Sequence, residues 1–334
     1  MTRSHTQQRG LSLIELMVAI TLTLLLALGL TQVFIASKQG YRVQESSSRL
    51  QDNARVAIEV ISRNIRMADF WGGVKTGAIS GTGSATATGT CTSAWIVDAA
   101  DALHGYPGDT TPPLCISAQN YVADTDVLLV RYANADGITK DADIDTSKRD
   151  LFVRVAAGRS GYLFNLSGGS KVWSDAQTAI PAGDGVMNYP YVTAILYVRP
   201  CSAPAGATCA STDDGGTPIP TLVSQDLPSS ATLPELKIEP QVENIEQLRF
   251  EYGVDGDGDG LVDRYYPADS VPSWPEVIAV RFGIIVRGDT VDGFTDSSSY
   301  DMPGGYTYTP AENVRRYQRR LFIKDVQVRN RIRG

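Results

Sequence analysis

The feature that most constrains this chain is the junction at its start. A polar, basic leader, MTRSHTQQRG, ends at Gly10, and LSLIELMVAITLTLLLALGL follows at once, with Glu15 its only charged residue. A secretory signal carries its cleavage site after the apolar stretch, at small residues of A-x-A type. No such site follows Leu30, and the polar-to-apolar break lies at Gly10 and Leu11 instead. Cutting there removes the charged leader and keeps the apolar segment, so the processed chain begins with its own membrane anchor.

A helix rises about 1.5 Å per residue and a bilayer core is about 30 Å thick, so about 20 apolar residues cross it. Residues 11–36 supply that length. A carboxylate inside such a helix costs about 2.5–3.5 kcal/mol at the centre and less near an end. Glu15 therefore calls for a cationic partner or for the positive field of a helix N-terminus. Beyond the anchor, Val43, Leu50, Ala54, Ala57, Ile61, Ile65 and Ala68 recur three, four or seven residues apart, the stripe of an amphipathic helix. No proline precedes Pro107, and Gly72-Gly73 marks a stop. The pattern predicts one helix over residues 11–70, with a transmembrane half (11–36) and an amphipathic half (37–70).

Leader, glycine, glutamate and apolar stretch together resemble the prepilin signal shared by type IV pilins and the pseudopilins of type II secretion. Leu11 departs from the family, which most often has phenylalanine there. The resemblance implies that a prepilin peptidase cuts between Gly10 and Leu11 and methylates the new α-amino group. It also implies that Glu15 pairs with the N-terminal amine of a neighbouring subunit, which gives assembly its axial register.

The net charge is −7, and two units more negative once Arg3 and Arg9 leave, which argues against nucleic acid as a partner. A basic cluster near the C-terminus (Arg315, Arg316, Arg319, Arg320, Lys324, Arg329, Arg331, Arg333) reads as a solvated strand face balanced by acidic loops, with a DNA-uptake contact as the alternative. Cys91, Cys115, Cys201 and Cys209 lie in the part that would be exported, where an even number suggests two disulfides. Three connectivities are open, and proximity favours Cys91 with Cys115 and Cys201 with Cys209. Zinc is disfavoured, since no C-x-x-C exists and His104 is the only histidine beyond the leader.

Residues 76–120 are dominated by Gly, Thr, Ser and Ala and read as a loop-rich insertion stapled by a disulfide. Strand-like runs follow at 126–133, 151–157, 193–200, 247–254, 276–288 and 319–330. In the fifth, Ile278, Val280, Phe282, Ile284 and Val286 share one face. These patterns predict an α+β fold, an antiparallel sheet lying on the amphipathic half of the helix within a globular domain over 71–334. VENIEQLRFEYGVD, WPEVIAVRFGIIVRG and YQRRLFIKDVQVRNR are similar to the PilW family of minor pilins, and that resemblance covers the N-terminal helix and much of 240–330. It implies the lollipop shape of a type IV pilin. The 76–220 region carries no recognised pattern and reads as a variable insertion. The J-type minor pseudopilin of type II secretion is the rival assignment.

One constellation is suited to bind something. In DGDGDGLVD, Asp255, Asp257 and Asp259 alternate, Gly260 is sixth, Leu261 seventh and Asp263 ninth, the first nine positions of an EF-hand calcium loop. Alternating carboxylates in a tight turn converge on one centre, the glycine permits the bend, and the Leu261 carbonyl supplies a further oxygen. The twelfth position is Tyr266 rather than glutamate, so Asp269 or another loop must complete the shell. The plain alternative is an acidic turn. A second run, Asp136, Asp141, Asp143 and Asp145, lacks the glycine and reads as a solvated loop.

The chain has no G-x-S-x-G elbow and no phosphate-binding loop, and the expectation is no catalysis. The functional expectation is a minor pilin that takes part in starting and assembling the pilus, ending at its tip. A tip adhesin and a secretion pseudopilin are the alternatives. The resemblance implies other minor pilins, the prepilin peptidase, the inner-membrane assembly platform and a PilY-type tip protein as partners. It places the chain in the bacterial inner membrane with a periplasmic domain before assembly, and in the pilus afterwards.

Overall fold

A computed structural model describes residues 12–332 except 88, 109–110, 113–114, 167–173 and 291–293. The chain divides into two compact units, Met1–Arg49 and Leu50–Gly334, and α1 (Leu13–Met67) runs through both. In the first unit α1 is long and apolar enough to cross a membrane. Its few hydroxyls need partners in such a setting. Thr21, Thr23 and Thr31 donate to the carbonyls of Val18, Ala19 and Ala27, one turn back on the same helix.

In the second unit the predicted stripe is the buried one: Leu50, Ala54, Ala57, Ile61, Ile65 and Ala68 all enter the main core. The helix ends at Met67, before the expected glycines, because Asp69 takes a left-handed conformation (φ 63°). The amide of Asn330 closes the helix end, donating to the carbonyls of Arg66 (3.1 Å) and Ala68 (2.9 Å). Gly72 (φ 65°) is needed a few residues on, since a Cβ there would lie 2.8 Å from the ring of Tyr189.

Fourteen strands occur among the described residues: β1 (Ile79–Gly81), β2 (Leu103–Tyr106), β3 (Val127–Ala133), β4 (Leu151–Ala156), β5 (Ser160–Asn165), β6 (Val186–Arg199), β7 (Thr221–Asp226), β8 (Lys237–Glu243), β9 (Ile245–Val254), β10 (Arg264–Tyr266), β11 (Val277–Thr290), β12 (Tyr300–Met302), β13 (Tyr306–Tyr308) and β14 (Tyr317–Gln327). The single sheet expected from sequence is in fact two larger sheets and a small hairpin, β12 with β13. The eight-stranded sheet runs β1-β5-β4-β6-β3-β2, with β7 on β6 and β8 on β7, and only β1 and β5 pair in parallel. The four-stranded antiparallel sheet runs β10-β9-β11-β14.

At β3 and the second half of β6 the eight-stranded sheet is covered on both faces, which is why VLLV in β3 and AILYV in β6 do not alternate with polar residues. Leu128, Val130, Leu196 and Val198 join the helix stripe and Phe250, Phe282 and Ile284 of the smaller sheet. Val127, Leu129, Ile195 and Tyr197 face the other way, under Cys91, Ile96, Val97, Ile116 and Tyr121. The low-complexity 76–120 segment is therefore a lid over a second core, not an appendage. In β11 a register shift between Val277 and Ala279 turns the chain, so Val277 rather than Ile278 joins Val280, Phe282, Ile284 and Val286 in the core.

Candidate functional site

The processing residues Gly10 and Leu11 lie outside the described residues. Glu15 sits exposed in the first turn of α1, where the unpaired N–H groups of a helix start favour a carboxylate.

The acidic loop is held at both ends by the β9–β10 pairing, with Val254 opposite Arg264 and Tyr252 opposite Tyr266. Within it the carboxylates organise the backbone. Asp255 accepts from the N–H groups of Gly258 (2.7 Å), Asp259 (3.2 Å) and Gly260 (2.8 Å). Asp263 accepts from Gly256 at 2.7 Å, and Asp259 accepts from Leu261 at 2.7 Å. Gly258 and Gly260 carry positive φ, which lets the loop wrap around Asp255. This brings oxygens of Asp255, Asp257 and Asp263 within 4.8 Å of one another, and Asp259 is not in that group. Tyr266, at the twelfth position, is a strand residue packed against the core, and the Asp269 carboxylate accepts from Ser270. Three converging carboxylates are hard oxygen donors of the type calcium takes, and they supply only part of the six to eight it needs.

Both cysteine pairs are disulfides, Cys91 with Cys115 (Cα–Cα 5.0 Å) and Cys201 with Cys209 (Cα–Cα 5.7 Å). The second lies in a turn ordered by two acids that the sequence did not bring forward. Asp214 accepts from the N–H groups of Ser202, Ala203 and Ile219, and Asp213 from those of Ala205 and Ala210. Burial works against the Asp214 carboxylate, but these hydrogen bonds prevail and hold it down at about 2.

Two sequence readings need correction. Asp141, placed in a solvated run, is the counterion of Arg154, which is wholly buried in β4 and also bonds to Asn188 and the Ile180 carbonyl. Hydrogen bonding by Arg154, against the cost of burial, keeps Asp141 below the usual carboxylate range. The basic cluster is only partly a solvated face. Arg319 is buried between Glu246 and Asp296, and Arg331 is held by Asp69 at 2.7 Å. His104 lies in β2, stacked 4.3 Å from Trp274, with Asp101 3.3 Å from its Nδ1. An arginine within an apolar strand run was the available signal both for Arg154 and for Arg131, which is buried in β3 and pairs with Asp101 at 3.4 Å, and both acids come from segments that composition marks as loops.

A long apolar N-terminal helix whose later turns pack on antiparallel sheet is the α+β architecture of type IV pilin-like proteins. Residues 5–31 match the prokaryotic N-terminal methylation motif, and residues 209–330 match the family described as type IV pilus-assembly protein W. The chain is thus similar to type IV pilus-assembly proteins of the PilW family over 209–330 and to N-methylated pilins at its start, where α1 is long and apolar enough to cross a membrane. No curated protein and no solved structure matches it significantly.

Proposed function

We propose that this chain is a minor pilin that helps to start filament growth and stays at the tip, in complex with other minor pilins. The observation that carries this reading is one chain joining a methylation motif at 5–31 to a PilW region within a unit as large as Leu50–Gly334. A subunit repeated along a thin filament must make the same head-to-tail contact every time, and a unit of this size suits a rare, terminal position better. In this reading residues 1–10 are removed, 11–36 cross the inner membrane, and Glu15 receives the amine of a neighbouring Leu11. Prepilin peptidase, the assembly platform and a PilY-type protein are the further partners. No chemical step is required of the head.

The 255–263 loop is, in the same reading, a structural calcium site, with Asp255, Asp257, Asp263 and the Leu261 carbonyl as ligands and water filling the rest. The convergence of three carboxylates in a turn anchored by β9 and β10 supports it.

The test is recovery of tagged full-length chain from cells, with and without chelator, followed by mass spectrometry of N-termini and partners. A chain starting at methylated Leu11 and accompanied by minor pilins is expected. Recovery with secretion pseudopilins instead would transfer the chain to type II secretion, and an unprocessed start without pilin partners would end the proposal. Glu15→Ala should be processed normally yet fail to enter pili.

A further inference from the structure

A cavity of 440 Å³ lies beside the end of α1, lined by Asp69, Trp71, Val74, Lys75, Pro275 and Arg331 among others. Its chemistry is uneven. Trp71 and Val74 are almost fully buried and, with Pro275, give an apolar wall. The Asp69 carboxylate is fully engaged, accepting from Arg331 Nε at 2.7 Å, from the Trp71 indole at 2.8 Å and from the Thr76 hydroxyl. Arg331 is 8% exposed along its side chain, and its Nη1 donates to the carbonyls of Trp274 and Val277.

Its remaining nitrogen, Nη2, has no partner among the described residues and is not among the enclosed unpaired atoms. Arg331 lines the cavity, and among the described residues this nitrogen is the part of its guanidinium left to meet a ligand. Next to it, the Asn330 side chain spends its N–H groups on the helix carbonyls and keeps its oxygen free among the described residues. Exposed Lys75 stands at the rim.

We propose that this cavity binds a carboxylate carried on an apolar side chain, such as an acidic or terminal group of another polypeptide. A guanidinium nitrogen held in place by three other bonds is a preorganised donor for a carboxylate. The ligand is a single negative charge, because Asp69 stands against the same guanidinium and repels a dianion such as phosphate. The free Asn330 oxygen accepts an N–H, which a peptide bears beside its carboxylate. Resting on the proposed function, the donor of that carboxylate is a partner chain of the pilus.

The probe is N-acetyl-L-phenylalanine, compared with its amide, added to the full chain in detergent micelles and followed by ligand-observed NMR. The acid should bind in the millimolar range or tighter, and the amide about tenfold more weakly. Lys75→Glu should weaken the acid about tenfold with an unchanged melting temperature, and Arg331→Lys should abolish binding. Equal binding of acid and amide, no binding at 10 mM as a rough ceiling, or normal binding by Lys75→Glu would overturn the site. In cells, Lys75→Glu should recover fewer pilin partners than the parent chain. Undiminished recovery would sink the pilus partner while leaving the site. Loss of all pilin partners by the parent chain would instead count against the proposed function, whatever the probe does.

Discussion

Arg319 shows what a buried cation demands. Its guanidinium forks onto Glu246, at 2.5 and 2.9 Å, reaches Asp296 at 3.3 Å, and bonds to the carbonyls of Val314 and Tyr317. Truncating one partner leaves charge buried without compensation, so Arg319→Ala should cost about 3–5 kcal/mol in urea unfolding. Arg320→Ala, on an exposed neighbour stacked over Phe322, should cost under about 1 kcal/mol. A basic run in sequence does not tell these two residues apart. Their difference comes from which side of β14 faces Glu246, and that acid lies 73 positions away in the chain. The same holds for Arg154 and Asp141. The cysteines and the acidic loop, by contrast, bring their partners within short reach, and so they were legible as groups.

At the scale of elements, period and punctuation carried most of the reading. The helix stripe from Leu50 to Ala68 and the alternation of Leu248, Phe250, Tyr252 and Val254 are the buried faces. What the pattern hid was the second sheet face, because a strand covered on both sides has no alternation to read. The short strands β1, β2 and β10 lack enough residues to show a period, and the shift at Val277 breaks one. The acidic loop makes the sharpest prediction here. If calcium binds only the folded loop with a dissociation constant of about 0.1 mM, 1 mM calcium should add about 1.4 kcal/mol. Melting curves with calcium and with chelator measure this, and Asp255→Ala should remove the difference. Equal midpoints for the parent chain up to millimolar calcium would dismiss the site. The helix end is a second case: Asn330→Ala removes the donor to two carbonyls and should cost about 1 kcal/mol.

Two conditions act on the whole molecule. The first is acid. Asp141 is held down mainly by its bonds to Arg154, and in Asp101, Asp214 and Asp296 hydrogen bonds or nearby cations outweigh burial. A lowered folded pKa contributes stability above the usual carboxylate value of about 3.9 and loses it as pH falls further. Burial raises Asp126 and Asp226, whose opposite contribution is relieved earlier, as pH falls toward that value from above. Below about pH 4 the four lowered groups govern, and the melting temperature should drop between about pH 4 and 2. Asp141→Asn, already less stable, should drop less over that range. The second is reduction. Loop lengths of 24 and 8 residues predict losses of about 3.4 and 2.5 kcal/mol when the two disulfides open. Cys91→Ser/Cys115→Ser should therefore melt lower than Cys201→Ser/Cys209→Ser, whose turn keeps its aspartate hydrogen bonds.

The bond between Asn330 and the carbonyls of Arg66 and Ala68 joins positions more than 260 residues apart. At a synthesis rate of about 5–20 residues per second, some 13 to 50 seconds separate the appearance of the helix end from the appearance of the residue that closes it. During that interval the apolar stripe from Leu50 to Ala68 exists without its cap and with its sheets still incomplete. The order of manufacture thus runs opposite to the order of completion. The first structured segment to leave the ribosome is the last to be finished, and its lipid-compatible start is in place long before its packed end.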